Sequence, residues 1–216
     1  MKGRLLLLVV VLAWQVGCDQ ASSTSSSETG AQPDVSSAGS EAAAADASPS
    51  EDSPSEAEPS VSVEVASWDD VQRMVAEHQG KVVVVDIWSN WCVPCLREFP
   101  HLVELHSRYP DQVACISVNT NYDGAADAPP ESHREKALEF LVKRRATFQN
   151  VICSDPDLEL YDKIQLAAVP AIYVYDRSGE LRQRFDNDSN EYGEEGFTYQ
   201  KHVIPLVEQL LAAQPE

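Results

Sequence analysis

Basic residues are scarce in this chain. Its 216 residues contain 16 Lys and Arg against 35 Asp and Glu, and the formal net charge is −19 at pH 7. From residue 61 onward, 14 basic residues face 26 acidic ones. A surface of this sign repels phosphate backbones and anionic headgroups, so we predict no nucleic-acid partner and no adhesion of this part to anionic lipid. The same acidic surface also serves solubility.

Residues that bind soft metals are few and scattered. Of the five cysteines only Cys92 and Cys95 are closely spaced, and the five histidines are scattered, although His101 and His106 follow the motif. A structural zinc site needs four ligands, usually two such pairs. Copper sites need His or Met beside the thiols, and Met74 is the only methionine after residue 1. We therefore predict no metal and no cofactor.

A long hydrophobic run is also missing. Lys2 and Arg4 precede ten largely apolar residues, 5–14, which are too few to span a bilayer and are typical of a signal peptide. The following residues, Gln-Val-Gly-Cys at 15–18, resemble a bacterial lipobox, although Gln15 stands where that pattern usually has Leu. We predict a signal peptide over 1–18 and lipidation of Cys18; a plain secretory signal or an uncleaved anchor is the alternative.

Residues 19–60 contain no Lys or Arg and are rich in Ser, Ala, Pro and acids. Such a segment cannot bury enough apolar surface to offset its ordering entropy, and its nine acids repel one another. The composition predicts a disordered acidic tether. It either lifts the following domain, residues 61–216, off a membrane or is a linker with no length requirement.

The most informative stretch is Cys92-Val93-Pro94-Cys95, which follows the apolar run 82–88. This pattern predicts a buried strand that leads into a helix starting at the first cysteine. Amide N–H groups at a helix start favour a thiolate, and two intervening residues allow the second cysteine to resolve a mixed disulfide. We interpret Cys92 as the nucleophile and Cys95 as the resolving thiol of a redox-active disulfide; a merely structural disulfide is the alternative.

Several separated segments resemble the thioredoxin superfamily. The stretch 85–95 is similar to its active-site strand and loop, Pro100 to the proline inside its active-site helix, and Val169-Pro170 to its cis-proline loop. Residues 95–100 are closer still to the membrane-anchored, extracytoplasmic TlpA/ResA-like branch. The resemblance implies an α/β thioredoxin-like fold, with a central mixed sheet flanked by helices and a helix–strand insertion before the cis-proline loop.

Two acids are candidate catalytic residues. Asp86 lies in the middle of the apolar strand, where burial would raise its pKa and let it exchange protons with Cys95. It also aligns with the buried acid of thioredoxins. An exposed acid at a strand edge is the alternative. Glu98 matches the acid that borders the active-site cavity in ResA-like proteins; a solvated helix position is the alternative.

The substrate-binding candidates are Trp91, Val169 and Pro170. The resemblance implies a cis bond before Pro170, which brings the backbone of Val169 beside the disulfide, where it could pair with a substrate strand. We expect Trp91 and Trp88 to supply one exposed aromatic ring beside the thiols and one packed ring.

The rest of the domain is expected to alternate strands and helices. The predicted strands are 61–65, 82–88, 113–119, 151–153, 171–176 and 180–185, and the predicted helices are 67–78, 92–108, 132–145, 157–164 and about 203–211. Ser132 and Glu135 form a capping-box pattern. Cys115 and Cys153 fall on strands expected to be neighbours, so they are either two buried apolar residues, a structural disulfide or a redox relay.

The sequence therefore predicts a thiol–disulfide oxidoreductase in the bacterial cell envelope, lipid-anchored and facing the periplasm or the exterior. The TlpA/ResA resemblance implies reduction of protein disulfides in exported proteins, such as apocytochrome c or copper-site cysteines, with a membrane electron donor as partner. We expect a monomer. The alternatives are a disulfide-donating oxidant of the same fold, a copper chaperone or redox-gated binding module, and a peroxide reductase. For the last, Ser89 stands where Thr is usual, and Val85 replaces the expected proline.

Overall fold

The computed structural model of the chain describes residues 60–213. The predicted signal peptide, Cys18 and the tether up to residue 59 lie outside this range, so these predictions stay predictions. Within the range, no helix is both long and apolar enough to cross a membrane.

Residues 60–213 contain six strands and five α-helices. The strands are β1 (Glu64–Ala66), β2 (Val82–Trp88), β3 (Val113–Asn119), β4 (Gln149–Cys153), β5 (Ala171–Tyr175) and β6 (Leu181–Phe185). The helices are α1 (Trp68–Glu77), α2 (Val93–Arg108), α3 (Arg134–Arg144), α4 (Asp157–Ile164) and α5 (Ile204–Ala212). Two short 3₁₀-helices, Pro130–His133 and Asn190–Tyr192, and a π-helix, Tyr199–Val203, complete the secondary structure of this part.

The strands form one mixed sheet in the order β1-β4-β3-β2-β5-β6. The first four strands are parallel, β5 runs antiparallel to β2, and β6 runs antiparallel to β5. The unit α3–β4 is inserted before the Val169-Pro170 loop, and β4 lies between β1 and β3. This is the predicted thioredoxin-like fold with its helix–strand insertion.

The sheet is covered on both faces, which explains why β2 is apolar along almost its whole length. Val84 and Trp88 face one core, which is completed by α2, α3 and α5. Val83, Val85 and Ile87 face the other core, which is completed by α1 and α4. Asp86 shares the alternation of Val84 and Trp88, so it lies on the α2 and α5 side.

Local sequence signals set most helix ends. Ser67 begins α1 with a capping box, because its hydroxyl accepts the N–H of Asp70 (3.2 Å) and its own N–H donates to Asp70 Oδ2 (2.9 Å). Cys92 is the N-cap of α2, and Pro94 occupies the first turn, where no N–H is needed. Tyr109 ends α2 directly before Pro110.

Two local predictions were wrong. The Ser132–Glu135 capping box does not form, because the N–H and hydroxyl of Ser132 both donate to the Pro129 carbonyl (2.8 and 2.7 Å) inside a 3₁₀ turn. Helix α3 then begins at Arg134 without a side-chain cap. The first strand is also shorter than predicted, since side chains rather than a neighbouring strand bind the carbonyls of Ser62 and Val63.

Cys115 and Cys153 do not form a disulfide; both are buried free thiols. Their strands β3 and β4 are neighbours, as predicted, but Asn119 pairs with Ile152, which places Cys153 beyond the end of β3. The two side chains also face opposite cores. Among the predicted alternatives, the structure matches two buried apolar residues.

Candidate active site

Cys92 and Cys95 are joined by a disulfide at the start of α2, with their Cα atoms 5.2 Å apart. The sulfur of Cys92 accepts the N–H of Cys95 at 3.2 Å. Cys92 is 8% exposed and Cys95 is 3% exposed. A sulfur that receives an amide N–H at a helix N-terminus is stabilised as a thiolate, so the geometry favours Cys92 as the attacking atom.

Three asparagines hold the loop that carries the disulfide. The side chains of Asn119 and Asn121 donate to Asn90 Oδ1 (3.3 and 2.8 Å), and the N–H of Asn90 donates to Asn121 Oδ1 (2.9 Å). Ser89 adds a turn within the loop by accepting the N–H of Trp91 at 3.3 Å. The end of β3 therefore fixes the position of the residues before Cys92.

The two tryptophans of this region have different environments. Trp88 is fully buried and packs against Phe99 and Phe140, with ring centroids 5.3 and 4.9 Å away. Trp91 is 73% exposed, and so is Val93 on the other side of Cys92. The disulfide is thus flanked by apolar surface that faces solvent, the expected setting for contact with another protein.

The Val169–Pro170 peptide bond is cis. Ala171 pairs with Ile87, so Pro170 lies opposite Trp88, the last residue of β2, and Val169 lies just beyond it, at the end of the strand from which the Cys92 loop leaves. Val169 is half-buried and packs against both cores. The sheet register therefore brings this loop and the disulfide to one edge.

Asp86 is buried, as predicted, with 3% of its surface exposed. The hydroxyl of Tyr199 donates to Asp86 Oδ2 at 2.7 Å. Burial raises the pKa of Asp86 from 3.8 to about 7; the Tyr199 hydrogen bond opposes this rise, and the nearby charge of Glu98 adds to it. A carboxyl group with this pKa can both accept and donate a proton at neutral pH.

Only 16% of the Glu98 side chain is exposed, which shows that it points inward rather than into bulk solvent. It lies one turn after Cys95, and its Oε2 accepts the backbone N–H of Tyr199 at 3.2 Å. Its other oxygen pairs with Arg97 Nε at 3.3 Å. Glu98 and Asp86 are thus bound to the same residue from different elements.

Tyr199 was missed by the sequence analysis. It begins the π-helix that leads into α5, more than one hundred residues after Asp86 and Glu98. One signal was available: a buried acid needs a polar partner, and a tyrosine can supply one from a mainly apolar side chain. The asparagines that hold the active-site loop were missed as well.

Cys115 lies on the same face of the sheet as the disulfide, where burial and the charge of Asp86 raise its thiol pKa. On the opposite face, burial raises the pKa of Cys153 to about 12. Both thiols are therefore protonated at neutral pH and inert as nucleophiles. Within residues 60–213 no three His, Cys, Asp or Glu side chains are grouped so as to hold a metal ion.

Comparison with known families agrees with this fold. Residues 56–184 match the model of the AhpC/TSA family, which covers more than half of the chain. The chain therefore belongs to the AhpC/TSA family, a group of thioredoxin-like proteins.

The individual relatives share limited sequence identity with this chain. The chain is 28% identical over 113 residues to the thiol-disulfide oxidoreductase ResA of Geobacillus kaustophilus, an alignment that covers 52% of this chain and 58% of that protein. It is 22% identical over 107 residues to the sporulation thiol-disulfide oxidoreductase A of Bacillus subtilis, covering 49% and 59%. These alignments span less than two thirds of the relatives' own length.

Among solved structures, a thiol-disulfide isomerase from Corynebacterium glutamicum superimposes with a TM-score of 0.48. It is 20% identical and covers 64% of this chain and 86% of that chain. A secreted Mycobacterium tuberculosis disulfide oxidoreductase superimposes with a TM-score of 0.45 at 21% identity, covering 64% and 86%.

Proposed function

We propose that this protein is an extracytoplasmic thiol–disulfide oxidoreductase that reduces disulfides in exported proteins. The observation that carries the proposal is the Cys92–Cys95 disulfide at the start of α2, next to the exposed side chains of Trp91 and Val93. A disulfide that only stabilised the fold would gain nothing from this exposed apolar surround. The two relatives described above, which are named thiol-disulfide oxidoreductases, support the same activity.

The reaction begins with the dithiol form. The Cys92 thiolate attacks one sulfur of the substrate disulfide, forms a mixed disulfide and releases the other substrate sulfur as a thiolate. Cys95 then gives its proton to the Asp86 carboxylate and attacks the Cys92 sulfur. This closes the Cys92–Cys95 disulfide and releases the second substrate thiolate, so two electrons pass from the protein to the substrate.

A protein substrate suits this site, because the apolar side chains around Cys92 form a contact surface larger than the sulfur atom itself. The backbone of Val169, at the same sheet edge, is our candidate for pairing with an extended substrate segment. The oxidised protein needs two electrons to return to the dithiol, and we propose a membrane protein as their donor. We propose that the domain acts as a monomer.

The location rests on the first sixty residues. The predicted signal peptide, the lipobox-like residues before Cys18 and the predicted acidic tether support a lipid anchor on Cys18 in the bacterial cell envelope. The catalytic domain would then face the periplasm or the exterior. The net negative charge of the domain would keep it off an anionic membrane surface.

The reduction potential of the Cys92–Cys95 pair tests the direction of electron flow. Purified protein is equilibrated with glutathione or dithiothreitol buffers, the thiols are alkylated, and mass spectrometry reads Cys92 and Cys95 separately from the other cysteines. A value near or below about −270 mV, like thioredoxin, supports a reductase. A value near about −120 mV would reverse the assignment to a disulfide donor. Stoichiometric binding of Cu(I) without turnover of any protein disulfide would instead support the copper-chaperone alternative.

A further inference from the structure

Tyr199 contacts both acids of the candidate active site. Its hydroxyl donates to Asp86 Oδ2 at 2.7 Å, and its backbone N–H donates to Glu98 Oε2 at 3.2 Å. Asp86 lies on β2 and Glu98 on α2, so a single residue of the segment before α5 is bound to both elements that carry the redox site. Tyr199 is itself completely buried.

The position of Asp86 explains why a partner matters. Asp86 lies between β3 and β5 in the sheet, and the titratable groups that interact with it are Tyr199, Glu98 and Cys115. No lysine, arginine or histidine among residues 60–213 contacts the carboxyl group. The Tyr199 hydroxyl is its only hydrogen-bond donor within that range.

We propose that Tyr199 is a positioning residue for the resolving step, holding Asp86 through Oδ2 so that the carboxyl group can exchange a proton with Cys95. The proposal rests on the proposed function, in which Asp86 takes the proton of Cys95. The backbone N–H of Tyr199 also donates to Glu98, so the segment before α5 is hydrogen-bonded to both acids. Tyr199 does not exchange protons itself, because burial and the neighbouring acids raise its pKa well above 10.

A hydroxyl that donates to a carboxylate stabilises the charged form. Replacement of Tyr199 by Phe therefore leaves Asp86 with its burial and the charge of Glu98 but without the opposing hydrogen bond. The pKa of Asp86 then rises, and less of the group is a carboxylate at pH 7. Hydrogen bonds to charged groups are strong enough to move this pKa by about one to two pH units.

The test uses the full-length protein and the variant Tyr199→Phe. Decay of a mixed disulfide on Cys92 is followed between pH 5 and 9 and reports the resolving step, while formation of the mixed disulfide reports the attack by Cys92. We expect the pH midpoint of resolution to move upward by about one to two units and the attack to be unchanged. An unchanged midpoint overturns the proposal.

Tyr175→Phe is the matched control. Tyr175 is also buried and its hydroxyl is also hydrogen-bonded, but its partner is the neutral Gln72 and it faces the opposite core. This variant should leave the pH midpoint of resolution in place. In an Asp86→Asn background, Tyr199→Phe should add no further change; a further loss would show that Tyr199 acts otherwise than through Asp86.

A second readout does not depend on turnover. The carboxyl carbon of Asp86, followed by NMR across the same pH range, should titrate at a higher pH in Tyr199→Phe than in the unsubstituted protein. If the midpoint shifts but the protein reduces no disulfide, the proposed function is refuted, whereas the effect of Tyr199 on Asp86 is supported. If the variant does not fold, the NMR signal of the ring carbon that bears the Tyr199 hydroxyl should shift in the unsubstituted protein at the pH where Asp86 titrates. Absence of that shift would overturn the proposal.

Discussion

The ammonium group of Lys136 lies 3.3 Å from the ring centroid of Trp91. Trp91 belongs to the loop that carries Cys92, whereas Lys136 belongs to α3, the helix of the insertion. A cation over the face of an indole ring is attracted by the ring's quadrupole. The insertion therefore contributes directly to the surface beside the disulfide.

Replacement of Lys136 by Met should weaken the recognition of protein disulfides. The variant keeps an apolar stem but loses the charge over Trp91, an interaction worth about 0.5–1 kcal/mol at an exposed site. We expect KM for a protein disulfide to rise about two- to fivefold, with kcat unchanged. Steady-state kinetics would show this. Lys143→Met, on the same helix but paired with Glu139, is the control, and equal effects of the two variants would contradict the prediction.

Replacement of Cys95 by Ser should trap the reaction half-way. Cys92 still attacks, but no second sulfur is present to release the substrate, so a mixed disulfide accumulates. Non-reducing electrophoresis and mass spectrometry should place the linkage on Cys92. The reverse variant, Cys92→Ser, should form no adduct; an adduct on Cys95 there would mean that the roles of the two cysteines are exchanged.

Replacement of Asp86 by Asn should stabilise the protein above neutral pH. In the folded chain the pKa of Asp86 is about 7, whereas the unfolded chain has the ordinary value of 3.8. Between these values the folded state binds one more proton than the unfolded state, so stability contributed at this site falls as pH rises from about 4 to about 7. Asn removes this loss, which is on the order of 4 kcal/mol at most.

Urea unfolding of the oxidised protein at pH 4.5, 6 and 8 measures this effect. The stability gained by Asp86→Asn should be largest at pH 8 and should shrink towards pH 4.5. The same variant should resolve mixed disulfides more slowly. Asp111→Asn, at an exposed site, is the control. A gain of the same size at all three pH values would show that packing, rather than the buried charge, is responsible.

Cys115 and Cys153 should resist alkylation in the folded protein. Both are buried, and burial raises both thiol pKa values, to about 12 for Cys153. With iodoacetamide at pH 8, peptide mass spectrometry should find both unmodified in the oxidised and the reduced protein, and modified after denaturation. Modification of either at the rate of Cys92 would contradict this account, and so would a disulfide between them.

Much of the fold is encoded locally and was predicted from the sequence. The apolar run of β2 was placed correctly from Val82 to Trp88, because a strand buried on both faces needs a continuous apolar segment. Ser67 and Pro110 mark helix boundaries through hydrogen bonding and steric restriction, which act over a few residues. The burial of Asp86 followed from its neighbours along the same strand.

The remaining features depend on register and on distant contacts. Cys115 and Cys153 face opposite cores because one residue of register decides the face of every side chain in a strand. Ser132 was misassigned because its hydroxyl can either accept a nearby backbone N–H or donate to a nearby carbonyl. The Pro129-Pro130 turn decides between these two hydrogen bonds.

The sequence by itself determined where the disulfide of this protein lies. Two cysteines at this spacing after a buried strand specify a disulfide at a helix start, because strand, turn and helix N-terminus are all local properties of residues 82–95. Only the tertiary structure decided what surrounds that disulfide. Tyr199 reaches Asp86, and Lys136 reaches Trp91, through the packing of elements far apart in the chain, and no local pattern records such contacts.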